Sequence, residues 1–209
     1  TDKKNIIFQD TDVVIDFTLP DVTEKHLELA VKHNTILIVG TTGFEKTTEY
    51  LFQTASKHIA IVKAPNMSLS VNLLLGLTEQ VANILDDDYD IEILEMHHRH
   101  KVDSPSGTAL ALGDAAAKGR KISLKDTKIT DRDGLIGPRT RGTIGFSAIR
   151  GGDVVGDHTV IFAAEGERIE LTHKSSSRQT YARGAVVAAV WASRRGPGVY
   201  SMKDVLGLD

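Results

Sequence analysis

Thr35-Ile36-Leu37-Ile38-Val39-Gly40-Thr41-Thr42-Gly43 decides the fold. Its apolar residues, mostly β-branched and cut off by a tight polar turn, read as a strand buried on both faces. The chain on either side repeats this pattern. Asp12-Val-Val-Ile-Asp16-Phe17 is a second such run, stopped by Thr18-Leu-Pro20, and Ile59-Ala-Ile-Val62 is a third, ending at Lys63-Ala64-Pro65-Asn66-Met67. Between them, Asp21 to His33 carries Val22, Leu27, Leu29, Ala30 and Val31 at helical spacing, and Glu45 to His58 forms a second helix. Strands alternating with helices imply right-handed βαβ units and a parallel sheet.

Further along, the pattern changes. Ser68 to Asp86 reads as a long helix, and Ile91, Ile93 and Leu94 open a strand. Five consecutive basic residues follow, His97-His98-Arg99-His100-Lys101. Ser104 is then the expected N-cap and Pro105 the first position of a helix to about Lys118. Lys121 to Arg141, rich in charge, Gly and Pro, is expected to be a long surface loop able to reach another domain or subunit. Strands at Gly142–Arg150, Asp153–Ala163 and Arg168–His173 have short connections, which imply antiparallel pairing. A helix from Ser177 to Arg194 and a short segment, Ser201 to Leu206, close the chain. The fold class is therefore α/β: a partial Rossmann-like parallel-sheet domain plus a central α+β domain with a mostly antiparallel or mixed sheet.

Composition narrows the function. The 209 residues are 41% hydrophobic and 25% charged, as in an ordinary globular protein. A net charge of −3 creates no global field for nucleic acid or an anionic membrane. The longest apolar run near the C-terminus, Ala185 to Ala192, is too short to span a bilayer, and a cytoplasmic location is expected. The absence of cysteine removes disulfides, thiolate metal sites and thiol nucleophiles.

The basic cluster joins a strand end to a helix start. Helix N-termini attract anions, and a glycine such as Gly107 allows close approach to the backbone. Free N–H groups near Ser106, Gly107 and Thr108 are therefore expected to hold a carboxylate or phosphate. The adjacent imidazoles can move protons near neutral pH. A solvated charge run is the plain alternative. A metal site from His97, His98, His100 and Asp103 is disfavoured because Arg99 and Lys101 interleave with it. One histidine, for which His100 is the choice, is expected to be buried against Glu92 or Glu95. The cationic neighbours of Lys101 are expected to ease its deprotonation.

Ligands of open parallel sheets bind outside the carboxyl ends of the strands. Here those ends are Asp16-Phe17-Thr18, Gly40-Thr41-Thr42-Gly43 and Ala64-Pro65-Asn66-Met67, across which a flat ring and a ribose could lie. No Gly-x-Gly-x-x-Gly follows any strand.

Glu95-Met-His97-His98-Arg-His-Lys101-Val-Asp103-Ser-Pro-Ser106-Gly107-Thr108-Ala109 resembles the signature of bacterial dihydrodipicolinate reductases. The similarity continues through Val14-Ile-Asp-Phe-Thr, Gly40-Thr-Thr-Gly-Phe44, Ala64-Pro-Asn66-Met67-Ser68, Gly142-Thr-Ile-Gly-Phe146 and Gly156-Asp-His158, and so covers essentially the whole chain. The resemblance implies a dinucleotide-binding domain of residues 1–68 with 178–209, and a substrate-binding and oligomerisation domain of residues 69–177. It implies NADH or NADPH as cofactor, a small cyclic dicarboxylate as substrate, and a homotetramer serving diaminopimelate and lysine synthesis. By the same resemblance His97 is the acid/base residue and Lys101 the proton donor. His98, Ser106, Gly107 and Thr108 bind substrate. Gly40, Thr41, Thr42, Ala64, Pro65, Asn66, Met67 and Arg178 bind cofactor, with Tyr181 approaching the same site. That family opens with a Gly-x-x-Gly-x-x-Gly turn and a ribose reader, and neither motif stands in this sequence. The expectation is that roughly sixty residues, two βα units, belong ahead of Thr1. A non-catalytic dicarboxylate-binding relative is the alternative function, and a His-based metallohydrolase a more distant one.

Overall fold

The three apolar runs are neighbouring parallel strands, β1 (Val13–Asp16), β2 (Ile36–Val39) and β3 (Ala60–Lys63). They belong to a computed structural model that describes residues 3–208. The chain divides into two units, one combining the residues up to Asn72 with those from Gln179 onward, the other Leu73–Arg178. In the first unit, α1 (Lys3–Gln9), α2 (Pro20–His33) and α3 (Lys46–Ala55) contribute Phe8, Leu27 and Phe52 to a core with Leu37, Val39 and Ile61 of the sheet. α2 ends where Asn34 adopts a left-handed conformation (φ 55°), and Asn tolerates this better than most residues.

The second unit takes in most of α4 (Leu69–Ile84), then β4 (Asp90–His97), α5 (Gly107–Arg120), α6 (Leu124–Thr127), β5 (Lys128–Ile129), β6 (Ile144–Arg150), β7 (Gly156–Ala164) and β8 (Glu167–Ser175). Its strand order is β5-β6-β4-β7-β8. One face of this sheet packs Ile91, Ile93, Phe146, Val160 and Phe162 against Leu74 and Ala82 of α4 and Leu112 and Ala116 of α5.

Two expectations need correction. β6 and β7 do not pair, because β4 lies between them, parallel to β6 and antiparallel to β7. The short connection from β6 therefore crosses the end of β4 instead of closing a hairpin. The region read as one long loop begins with α6 and β5, and its remainder is fastened to its own sheet. There Arg139 donates to Asp90, Glu92 and the Ile91 carbonyl, and Arg132 donates twice to Glu92.

The chain then returns to the first sheet. α7 (Gln179–Ala192) presents Ala185, Ala188 and Ala192 to Ile38, Val62 and Met67 on the sheet's second face. The approach is close enough that a Cβ on Gly184 would lie 1.7 Å from the Met67 carbonyl oxygen. β9 (Gly198–Tyr200), a strand too short to leave a sequence pattern, adds in parallel beside β3. α8 (Met202–Leu206) follows, its N-terminus held by a Ser201–Asp204 capping box.

Candidate active site

Alternation along β4 builds this site. Ile91, Ile93, Glu95 and His97 share the buried face, so the apolar core gives way to a carboxylate and an imidazole at the strand's end. Glu95 is 1% exposed yet fully partnered. Both its oxygens accept from the Arg150 guanidinium at 2.7 Å, the Ser106 N–H donates to Oε1 at 3.1 Å, and His97 Nδ1 lies 2.5 Å from Oε2. Burial pushes the Glu95 carboxyl up, but bonds from Arg150, His97 and the Ser106 N–H outweigh it and hold it below the usual range. The ionised carboxylate accepts a hydrogen bond from His97 Nδ1–H, which leaves Nε2 as the ring nitrogen outside this bond. Gly156 borders that nitrogen, and a Cβ there would come to 3.0 Å from Nε2.

His158 lies opposite Glu95 on β7 and is 4% exposed. Its ring meets His97 edge-on, with centroids 5.1 Å apart, and its Nε2 lies 3.1 Å from Ser106 Oγ. Burial, followed by the neighbouring His97, lowers its pKa to about 4, so it stays neutral near pH 7.

Beyond β4 the backbone is tied to the β6–β7 connection by His98 N–H to the Val154 carbonyl and Arg99 N–H to the Gly152 carbonyl. Lys101 Nζ forms an ion pair with Asp103 at 2.8 Å. Lys101 therefore faces a carboxylate as well as the cations beside it in sequence. Helix α5 starts two residues later than expected, because Ser106 is its N-cap. The Ser106 hydroxyl accepts the Ala109 N–H at 3.1 Å, where Ala109 is fully buried. The Ser106 N–H is consequently taken by Glu95 and is not free for a ligand, whereas Gly107 is exposed with open space beside it. His100 is exposed, so the buried histidine of the cluster is His97, and Glu95 is its holder. Glu92 serves Arg132 and Arg139 instead.

In the first unit, the strand-end residues form a second candidate region. Asp16 is buried and accepts from Thr18 N–H and Oγ1 at 2.9 and 2.6 Å, from Thr41 Oγ1 at 3.4 Å, and from His26 Nδ1 at 2.9 Å. Thr41 Oγ1 also accepts from Thr18 N–H and Thr23 Oγ1, so this hydroxyl is engaged in fixing the turns. Phe17 is 51% exposed, and a Cβ on Gly40 would strike its ring at 2.1 Å. An exposed aromatic ring thus lies against the Gly40 edge, and Thr42 and Pro65, at the ends of the next strands, are also exposed. Ala64 and Met67 are buried in the core, where the Ala64 N–H donates to the Val39 carbonyl and the Met67 carbonyl packs against Gly184. Asn66 Oδ1 accepts the Ser68 N–H and its carbonyl accepts from Asn72. Arg178 is exposed at the end of the second unit, and Tyr181 is half-buried in α7.

Residues 1–67 match the family description "Dihydrodipicolinate reductase, N-terminus", and residues 70–206 match "Dihydrodipicolinate reductase, C-terminus". The chain belongs to the dihydrodipicolinate reductase family. It is 56% identical over 208 residues to the 4-hydroxy-tetrahydrodipicolinate reductase of Dinoroseobacter shibae, covering 100% of this chain and 77% of that protein. The enzyme of the same name from Parvibaculum lavamentivorans is 53% identical over 97% of this chain and 75% of its own length. A dipicolinate-bound dihydrodipicolinate reductase from Paenisporosarcina sp. TG-14 shares the fold, with TM-score 0.77 and 23% identity over 97% of this chain and 76% of its own.

Arg150 and His158, which complete the network around His97, are not among the site residues expected from sequence. A signal existed for each. His158 stands two residues after Gly156, and this parity places it on the buried face of its strand. Arg150 ends a strand whose last residues are otherwise small or apolar.

Proposed function

We propose that this chain reduces 4-hydroxy-tetrahydrodipicolinate to tetrahydrodipicolinate at the end of β4, using NADH or NADPH, in diaminopimelate and lysine biosynthesis. The observation that carries this reading is the Arg150–Glu95–His97 chain of bonds lying directly before Lys101 and the start of α5, in a chain of this family. The first turn of α5, at Gly107 and Thr108, and the His98 and Lys101 side chains hold the substrate's carboxylates, with Ser106 shaping that turn as its cap. When bound, the reduced nicotinamide supplies a hydride. Gly40, Thr41, Thr42 and the Ala64–Met67 segment receive the nicotinamide and ribose, and Arg178 is assigned to the same cofactor.

The net change consumes one hydride and one proton and releases water. Hydride addition leaves electron density on the ring that a proton must quench. Lys101 Nζ delivers that proton, and His97 Nε2 handles the proton exchanged as the hydroxyl leaves. The Glu95 carboxylate holds His97 in one tautomer and stabilises it when it is charged. We assign the protein to the cytoplasm. Among the described residues no helix is long and apolar enough to cross a membrane. We further assign it to a homotetramer; on the other face of the second sheet Ile149 is exposed and Leu94 and Ile161 are only partly covered, which leaves room for a partner there.

The test is loss of NAD(P)H absorbance with freshly generated substrate. Turnover that requires both substrate and His97 supports the proposal. Dicarboxylate binding without turnover would favour the non-catalytic alternative.

A further inference from the structure

We infer that His158 is a positioning residue for substrate binding: by engaging the Ser106 hydroxyl it fixes the first turn of α5, on which a substrate carboxylate rests. The inference builds on the reading of this site as a dicarboxylate reductase. Ser106 Oγ already accepts the Ala109 N–H, and His158 Nε2 is its other buried partner. That pair bridges β7 to the beginning of α5, while Glu95 bridges β4 to the same point through the Ser106 N–H. The cap is thus pinned from two neighbouring strands. Only the Glu95 tie carries charge. The His158 ring is 4% exposed, packs edge-on against His97, and has an Nδ1 with no hydrogen-bond partner among the described residues. An orphaned buried polar atom costs free energy, so a ring retained solely for packing would be better served by an apolar side chain. A neutral imidazole can orient the Ser106 hydroxyl without placing a second cation against His97.

The test compares His158→Leu, which removes the bond, with His158→Gln, whose terminal amide can replace Nε2. His158→Leu is expected to raise KM for the cyclic dicarboxylate about tenfold, as befits one buried hydrogen bond. KM for NAD(P)H should not change, and His158→Gln should recover most of the loss. A wild-type dicarboxylate KM in His158→Leu, or a parallel rise in both KM values, would overturn the inference. Should His158→Leu not fold, His158→Asn, too short to reach Ser106, takes its place with the same expectation. Amide exchange provides a readout without turnover: the non-bonding variant should expose the Ala109 and Leu110 amides faster than His158→Gln does. Equal exchange in the two would also overturn the inference. Absence of turnover in the wild type would instead count against the proposed reaction, and the exchange comparison would still decide the role of His158.

Discussion

Each unit buries a carboxylate against an imidazole near a strand end, yet the two pairs are built for different work. Asp16 meets His26 at 2.9 Å and is otherwise satisfied by threonine hydroxyls and an N–H, a network that closes on itself. Glu95 meets His97 at 2.5 Å and is otherwise held by a guanidinium and the N–H of a helix cap. In the first, bonds from Thr18, His26 and Thr23 prevail over burial, and in the second those from Arg150, His97 and Ser106 do, so both carboxyls lie below their ordinary range. The first pair fixes turns. The second fixes one nitrogen of a histidine and leaves the other for the proton transfer proposed above. A buried acid–imidazole pair is therefore no sign of catalysis by itself. What distinguishes Glu95–His97 is its setting beside Lys101 and an exposed helix start.

The largest expected difference lies in turnover. His97→Ala or Lys101→Ala should lower kcat by about 10²- to 10⁴-fold, the usual contribution of a positioned proton donor or acceptor. His26→Ala should instead cost stability, about 1.5–3 kcal/mol for a bond to a charged group, with a far smaller effect on kcat. Steady-state kinetics paired with urea denaturation separates the two. Wild-type-like turnover in His97→Ala would erase the contrast.

Arg150→Met sharpens it from the other side. Removing the cation leaves Glu95 buried and uncompensated, which costs about 3–5 kcal/mol in a dry interior. Arg150 is 22% exposed, so water softens this to about 2–3 kcal/mol by urea denaturation. Turnover should fall as well, because an unpaired Glu95 is more readily protonated and no longer anchors His97. The Asp16 network has no guanidinium to lose in this way.

The first unit was the more legible of the two. β2 and β3 are continuous apolar runs because helices cover both sheet faces there, and continuous runs are visible without knowing any partner. β1 reads the same way in sequence but lies at the end of the strand order with Ile15 exposed, so it is less buried than its apolar run implies. The second unit depends on relationships between strands. Nothing in residues 144–164 says that β4 inserts between β6 and β7. Ser104 and Ser106 are equally good caps by composition, and the choice falls to Ser106 because Ala109 packs in the core with its N–H needing an acceptor. The choice of His100 as the buried histidine overlooked parity, since Ile91, Ile93, Glu95 and His97 share one face of β4 and His100 lies beyond the strand. β9 and α6, with three and four residues, carry too little pattern to read.

Acid should unfold the two units by different routes. His158 has a folded pKa of about 4 against 6.5 in the free side chain. Between these values the unfolded chain binds a proton that the folded chain does not, so stability declines as pH falls from 6.5 towards 4. Asp16 and Glu95 have lowered folded pKa values. Their contributions are complete above the ordinary values of 3.8 and 4.5 and are lost only as pH falls through the lowered ones. Urea denaturation across this range should show the shallower, higher-pH decline in wild type and a flatter curve in His158→Gln. Identical curves would place the His158 proton elsewhere.

Asp103→Asn should give the smallest effect, and its sign is the informative part. Asp103 is 54% exposed and pairs with Lys101 Nζ, an interaction of the kind worth at most about 1 kcal/mol at a surface. In the proposed reaction the substrate's carboxylate uses the same cation, so the two would compete. Removing the competitor should lower KM for the dicarboxylate by about twofold to fivefold, an effect that shrinks in high salt because the pair is open to solvent. If Asp103 served instead to aim Lys101, the same variant would raise KM and lower kcat. Glu95 could show no such gain, because its charge is shared among an arginine, a histidine and a backbone N–H, and no substrate group could replace all three.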